Sequence, residues 1–248
     1  MNKTVHLKIK RQAGPDQEVR WEEFEVPYRP GMNVIIALFD IQKNSVTKNG
    51  EATTPVAWDC NCLEEVCGAC TMVINGKVRQ SCTALIDRLE QPITLEPMTK
   101  FPLVRDLRVN RSRMFDALKR VQAWIPIDGT YDLGPGPKMA PQDQEIGYKL
   151  SECMTCGCCL EACPQYNDHT DFIGAAALSQ VRLFNLHPTG KMQRESRLEA
   201  IMGEGGIEDC GNSQNCVRVC PKNIPLTTSI AALNADTVKQ GLKKLFGQ

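Results

Sequence analysis

Cys153-Met-Thr-Cys156-Gly-Cys-Cys159-Leu-Glu-Ala-Cys163-Pro164 decides how this chain is read. Cysteines at 153, 156, 159 and 163, followed by proline, make a C-x2-C-x2-C-x3-C-P run, a spacing that holds iron–sulfur clusters rather than disulfides. The x2 steps let thiolates from one tight turn reach neighbouring irons. The longer x3 step and the proline swing the fourth thiolate toward a second cluster. A second run is therefore expected downstream, and Cys210-x5-Cys216-x3-Cys220-Pro221 supplies it.

Working outward, 248 residues with 42% apolar content suffice for two modest cores. The chain carries thirteen cysteines, and its opening, Met1-Asn-Lys-Thr-Val-His-Leu, alternates like a strand and lacks the apolar region of a signal peptide. That points to metal ligands in a reducing compartment. Lys plus Arg equals Asp plus Glu at 29 each, with no concentrated basic stretch, so no nucleic-acid partner is expected. The longest apolar run, Val34 to Phe39, is far short of the roughly 20 residues that cross a bilayer. Membrane contact is expected only through another subunit.

Before the first run, Thr4 to Lys10 sets Val5, Leu7 and Ile9 on one face, and Trp21 to Val26 offers a second strand across a turn at Gly14-Pro15. Met32 to Ile41 carries apolar residues at 34, 35, 38, 39 and 41, a helical stripe. His6 falls on the polar face of the first strand, and His169 and His187 lack partners at ligand spacing. Next stand Cys62-x4-Cys67-x2-Cys70-x11-Cys82, with a hairpin (Thr71–Ile74, Asn75-Gly76, Lys77–Gln80) before the last cysteine. This is the plant-type [2Fe-2S] spacing, three thiolates on one loop and one beyond it. Gly68 and Ala69 are small enough for the backbone to approach sulfur. Zinc is the alternative, since it too takes four thiolates. Cys60 is left over; as first ligand it would leave an x6 gap before Cys67.

Ile93 to Glu96 reads as a strand closing this part, and a helix is expected from Asn110 as cap, with Met114, Leu118 and Val121 on one face. Residues 126–141 hold four prolines and three glycines and read as a fixed connecting loop. Further helices are expected over Phe172–Leu186, Arg194–Ile201 and Pro225–Phe246. The fold class is α+β: residues 1–108 form a β-grasp-like, plant-type [2Fe-2S] ferredoxin domain, and 109–248 a helical, bacterial-type two-cluster ferredoxin domain.

In two-cluster ferredoxins each run gives three cysteines to one cluster and one to the other. Cys153, Cys156, Cys159 and Cys220 then hold [4Fe-4S]. Cys163 joins Cys210 and Cys216, and the position an ordinary cubane would fill is Ser213, whose hydroxyl ionises far less readily than a thiol. Three thiolates imply [3Fe-4S]. Cys158 is a second spare.

The order of these motifs over all 248 residues resembles the iron–sulfur subunit of succinate dehydrogenase and fumarate reductase. Cys67-Gly-Ala-Cys70-Thr-Met-Val-Ile-Asn-Gly76 and Cys220-Pro-Lys-Asn-Ile-Pro225 look like its signature segments. Leu63 and Glu65 depart from the family's common Arg and Gly. The resemblance implies an enzyme subunit without a catalytic acid or base of its own, relaying electrons from a flavoprotein with covalent FAD to quinone. It further implies a cytochrome b-type membrane anchor with haem b, and a place on the cytoplasmic face of a bacterial membrane. Fumarate reduction is the same path reversed, and a structural or regulatory metal protein is the rival of another class. Ubiquinone-linked relatives carry a Trp after the first Cys-Pro and a His after the first cysteine of the second run; here Pro164-Gln-Tyr-Asn-Asp-His169-Thr-Asp171 has no Trp, and Gly211 follows Cys210. Menaquinone is therefore expected, unless Tyr166 or His169 replaces the lost contacts.

Overall fold

The computed structural model describes residues 3–126 and 138–247. In chain order its elements are β1 (Thr4–Arg11), β2 (Arg20–Pro27), α1 (Val34–Lys43), β3 (Thr71–Ile74), β4 (Lys77–Gln80), β5 (Ile93–Glu96), β6 (Leu103–Arg105), β7 (Arg108–Val109), α2 (Ser112–Arg120), α3 (Pro141–Ser151), α4 (Cys158–Glu161), α5 (Gly174–Leu186), α6 (Arg194–Ala200), α7 (Asn215–Val219) and α8 (Leu226–Phe246). The chain divides into two compact units, Met1–Arg111 with Cys156–Glu161, and Ser112–Thr155 with Ala162–Gln248.

In the first unit, alternation puts Val5, Leu7 and Ile9 of β1 wholly inside. The antiparallel register with β2 sets Val5 opposite Val26 and Leu7 opposite Phe24, so both strands feed one face. The strand order is β2-β1-β5-β3-β4. The expected closing strand, β5, lies at its centre, parallel to β1 and antiparallel to β3. Val34, Ala37, Leu38 and Ile41 of α1 join the same core, as a β-grasp requires. Phe39 does not: at 46% exposure it stacks edge-on against Trp58, 5.0 Å away, while Ala37 takes the inward position.

Beside this core lies a buried ion network. Arg11, 1% exposed, donates from Nε to Asp106 Oδ1 at 3.0 Å, pairs with Glu22, and donates to the Thr54 carbonyl at 2.9 Å. Asp106 also accepts from the amides of Gln12 (3.1 Å) and Ala57 (2.9 Å). Every charge in the group has a hydrogen-bonded partner, the condition for burying it without a large penalty.

In the second unit α5 is central, packing against α2, α3, α6 and α8. Its small, buried residues Ala175, Ala176 and Ala177 let neighbouring helices approach. The expected α5, α6 and α8 form within two residues of their expected bounds, and α2 starts at Ser112, two residues past Asn110. Met114 and Val121 are buried, Leu118 half-buried. Helix α3 was not foreseen: Pro141 closes a proline-rich stretch, yet here it opens a helix at its first position, where its missing N–H is no loss. Residues 127–137 of the expected connecting loop lie outside the described residues. Among those described, no helix is long and apolar enough to cross a membrane.

Candidate metal centres

The loop before β3 gathers the first group of thiols. Its backbone turns through left-handed residues at Leu63 (φ 63°), Glu65 (φ 56°) and Gly68 (φ 70°), which aim successive amides inward. Cys62 Sγ accepts from the N–H groups of Val66 and Cys67 at 3.3 Å and Glu64 at 3.4 Å. Cys67 Sγ accepts from Ala69 at 3.4 Å and Cys62 at 3.5 Å. The Glu64 and Val66 amides favour the Cys62 thiolate and bring its thiol down to about 7. Leu63 and Glu65, the two departures from the family pattern, thus both stand where glycine is favoured; Glu65 gains a hydrogen bond from Thr83 Oγ1 at 2.7 Å.

The fourth thiol arrives from beyond β4. Cys82 is 5% exposed, and burial, with a hydrogen bond to Cys70, pushes it up to about 12, so a nearby cationic metal is what would ionise it. Asn33 fixes its position: Oδ1 caps α1 by accepting from Ile36 N at 2.9 Å, and Nδ2 donates to the Cys82 carbonyl at 2.8 Å. Cys60 is nearby, its thiol raised by burial, by Asp59 and by Cys67 and Cys82. Proximity therefore does not set Cys60 apart from the four; the three amides directed at Cys62 do.

On the first run's loop, Cys156 and Cys158 form a tight pair. A hydrogen bond from Cys158 holds Cys156 down to about 7, while Cys158, fully buried, is raised by the same bond and by burial. Cys158 also accepts from Gln80 Nε2 at 3.5 Å, and Gln80 Oε1 accepts from Cys70 at 3.6 Å. The supposed spare thiol is thus part of a buried network. Neither Gln80 nor Arg111, which donates to the carbonyls of Gly68 and Ala69, was foreseen. No sequence spacing announces them.

In the second unit Cys216 lies under the influence of Cys163 and Cys210, though burial is what chiefly raises its thiol. Asn215 Nδ2 donates to the Ala162 carbonyl at 3.1 Å and ties the second run to the residue before Cys163. Ser213 is exposed on an irregular segment between left-handed Asn212 and Gln214. Cys220 Sγ accepts from Ile224 N at 3.4 Å. The irregular segments here leave carbonyls without ladder partners, and arginines satisfy them. Arg113 donates to Asn167 and Thr170 and lies 4.2 Å over the Tyr166 ring; Arg120 donates to Ala200 and Glu204.

Near Cys210, a Cβ on Gly211 would stand 2.7 Å from Gln165 Nε2, so Gln165 fills the space a side chain at 211 would need. A cavity of about 580 Å³ opens beside them, lined by Asp168, His169, Asp171, Glu208 and Asp209 among others. Tyr166 is fully buried under Arg113, whereas His169 lines that cavity.

Among the described residues no three His, Cys, Asp or Glu side chains converge on a single-ion position. Thiols gathered in sets, with amide N–H groups directed at sulfur, suit the soft, thiolate-held irons of iron–sulfur clusters. Residues 6–116 match the 2Fe-2S iron-sulfur cluster binding domain, and 149–224 the 4Fe-4S dicluster domain. Fold and thiols together define an iron–sulfur protein of two ferredoxin-type modules. The chain is 66% identical to the succinate dehydrogenase iron-sulfur subunit of Bacillus subtilis (strain 168), over 99% of this chain and 97% of that one. It is 32% identical to the fumarate reductase iron-sulfur subunit of Wolinella succinogenes, over 88% and 90%. It belongs to the family of succinate dehydrogenase and fumarate reductase iron–sulfur subunits. A chain of the Mycobacterium smegmatis Sdh1 complex in the apo form has the same fold, with TM-score 0.80 and 23% identity over 97% of this chain and 98% of that chain.

Proposed function

We propose that this chain is the electron-transfer subunit of a succinate:quinone oxidoreductase, receiving electrons from a flavoprotein subunit that carries FAD and delivering them to quinone at a cytochrome b-type membrane anchor, with haem b as a further relay. Its place is the cytoplasmic face of a bacterial membrane. Residues 1–108 hold [2Fe-2S] on Cys62, Cys67, Cys70 and Cys82. Residues 109–248 hold [4Fe-4S] on Cys153, Cys156, Cys159 and Cys220, and [3Fe-4S] on Cys163, Cys210 and Cys216. When bound, the clusters supply one-electron carriers, and the succinate-oxidising site belongs to the flavoprotein.

This chain's own residues do the rest. The amides of Glu64, Val66 and Ala69 donate to sulfur and stabilise its negative charge. Burial of Cys70, Cys82 and Cys159 keeps water away from the thiolates. The observation that carries the reading is that Asn215, beside Cys216, is hydrogen-bonded to Ala162, beside Cys163, while position 213, where a fourth ligand would stand, is an exposed serine. An incomplete third site beside two complete ones suits a graded relay better than a structural staple.

The quinone is proposed to be menaquinone, held mainly by the anchor. Gln165 occupies the space over Gly211, Tyr166 is buried away, and the cavity beside them is walled by carboxylates, a poor seat for a neutral head group. Electron paramagnetic resonance (EPR) of the purified complex tests the cluster assignment: an oxidised [3Fe-4S] signal and a reduced [2Fe-2S] signal are expected, and stoichiometric zinc without them refutes it. Turnover with each quinone, in both the succinate-oxidising and fumarate-reducing directions, tests the remainder. Strong preference for ubiquinone would overturn the menaquinone assignment alone.

A further inference from the structure

Arg111 is a charged residue beside the thiols that the cysteine pattern does not call for. It follows β7 and sends Nη1 to the Gly68 carbonyl at 2.6 Å and Nη2 to the carbonyls of Ala69 at 2.8 Å and Thr71 at 3.4 Å. Thr71 Oγ1 reinforces this by donating to the Gly68 carbonyl at 2.8 Å, and itself accepts from Gln80 Nε2 at 2.8 Å.

Two consequences follow. A trans peptide points its C=O and N–H in opposite directions. Holding the Gly68 carbonyl therefore turns the Ala69 N–H the other way, where it donates to Cys67 Sγ at 3.4 Å. Arg111 thus orients a hydrogen bond to sulfur without touching the sulfur. Its charge is the second consequence. The three carbonyls are neutral, and the carboxylate that acts on the guanidinium, Asp59, is part-exposed and shared with Arg108 at 3.3 Å. Burial opposes the Arg111 charge, while Cys156, Cys70 and Cys158 favour it. The Gly68 turn that Arg111 holds lies against Cys156, a Cβ at 68 standing 2.6 Å from its Cα, and Ala69 and Thr71 flank Cys70, so positive charge is fixed beside residues of two separate ligand sets.

We propose that Arg111 is a positioning residue that sets reduction potential: its charge, anchored on the Gly68–Ala69 turn, stabilises the reduced forms of the clusters held by Cys70 and Cys156. The inference rests on the assignment of those thiols to [2Fe-2S] and [4Fe-4S]. A cluster that accepts one electron gains one negative charge, and a fixed cation in a part-buried site lowers the energy of that state. Both centres become better acceptors for electrons arriving from the flavoprotein.

The experiment is an EPR-monitored redox titration of the intact complex carrying Arg111→Gln or Arg111→Lys. Gln keeps an N–H donor for the Gly68 carbonyl but no charge; Lys keeps the charge but not the fork. The Gln variant is expected to hold its iron and to disfavour [2Fe-2S] reduction by at least about tenfold, about 59 mV for one electron, with [4Fe-4S] displaced in the same direction. The Lys variant is expected to stay close to wild type. A Gln variant at the wild-type potential overturns the proposal. Loss of its [2Fe-2S] signal overturns it too, making Arg111 a structural clamp, and so does a Lys variant displaced as far as Gln. A wild-type complex without either signal instead refutes the cluster assignment.

Discussion

A Cβ on Gly68 would stand 2.6 Å from the Cα of Cys156, so the turn between Cys67 and Cys70 lies backbone to backbone against the residue that opens the next cysteine pair. Glycine is required twice over, by this approach and by its φ of 70°. Gly68→Ala is expected to destabilise the first unit by about 2–4 kcal/mol, from overpacking and left-handed strain together, and to lower acid-labile sulfide. Thermal unfolding and iron content of the purified complex measure both; wild-type values for the two would contradict this role.

Asn33 has two separable duties, one for each end of its amide. Asn33→Ala should cost about 1 kcal/mol through the lost helix cap and should also broaden the [2Fe-2S] signal by freeing the Cys82 carbonyl. Asn33→Asp keeps the cap and loses only the donor to Cys82. Its expected phenotype is near-normal stability with the altered signal, read by calorimetry and EPR side by side.

Asp106 accepts from Arg11, Gln12 and Ala57. Asp106→Ala leaves Arg11 with Glu22 and Thr54 but takes the acceptor from Arg11 Nε and from the Gln12 and Ala57 amides, and is expected to destabilise by about 1–3 kcal/mol. Chemical denaturation monitored at the N-terminal unit checks it. A loss below about 1 kcal/mol, the scale of a surface pair, would mean that water reaches Arg11.

Ser213→Cys places a thiol between Cys210 and Cys216 at x2 spacing on an exposed irregular segment. The expected outcome is conversion of the third site toward [4Fe-4S], with loss of the oxidised [3Fe-4S] signal and slower quinone reduction. Persistence of that signal, with iron content unchanged, would show that position 213 is not the missing corner.

Cys60→Ser and Cys62→Ser separate the two candidates for the first ligand. Only Cys62 receives the amides of Glu64, Val66 and Cys67, so Cys62→Ser is expected to alter or abolish the [2Fe-2S] signal and Cys60→Ser to retain it. The reverse result would transfer the ligand role to Cys60. Cys158→Ser is expected to keep its cluster, though the change at Gln80 makes a small displacement of potential a natural accompaniment.

Much of the fold was legible because its signals are local. Val5, Leu7 and Ile9 alternate, the Asn75-Gly76 turn joins its strands, and α5 and α6 carry their own stops in His187-Pro188 and Gly203. Phe39 misled because periodicity records hydrophobicity without saying whether a neighbour such as Trp58 waits outside the core. Helix α3 was missed because a proline that ends one segment can begin another. The central, parallel seat of β5 was out of reach, since strand order is set by which distant edges meet.

The sequence by itself marked out the candidate ligand runs and their order, because a cluster's ligands on one tight turn must sit at fixed short spacings that the chain displays directly. Only the tertiary structure decided what surrounds those thiols. Gln80 reaches Cys158, Arg111 reaches Gly68 and Ala69, Asn33 reaches Cys82, and Gln165 fills the space above Gly211. Most of these pairs join residues some forty or more positions apart, and their hydrogen bonds exist only after the chain has brought them together; no local pattern in either partner encodes the other.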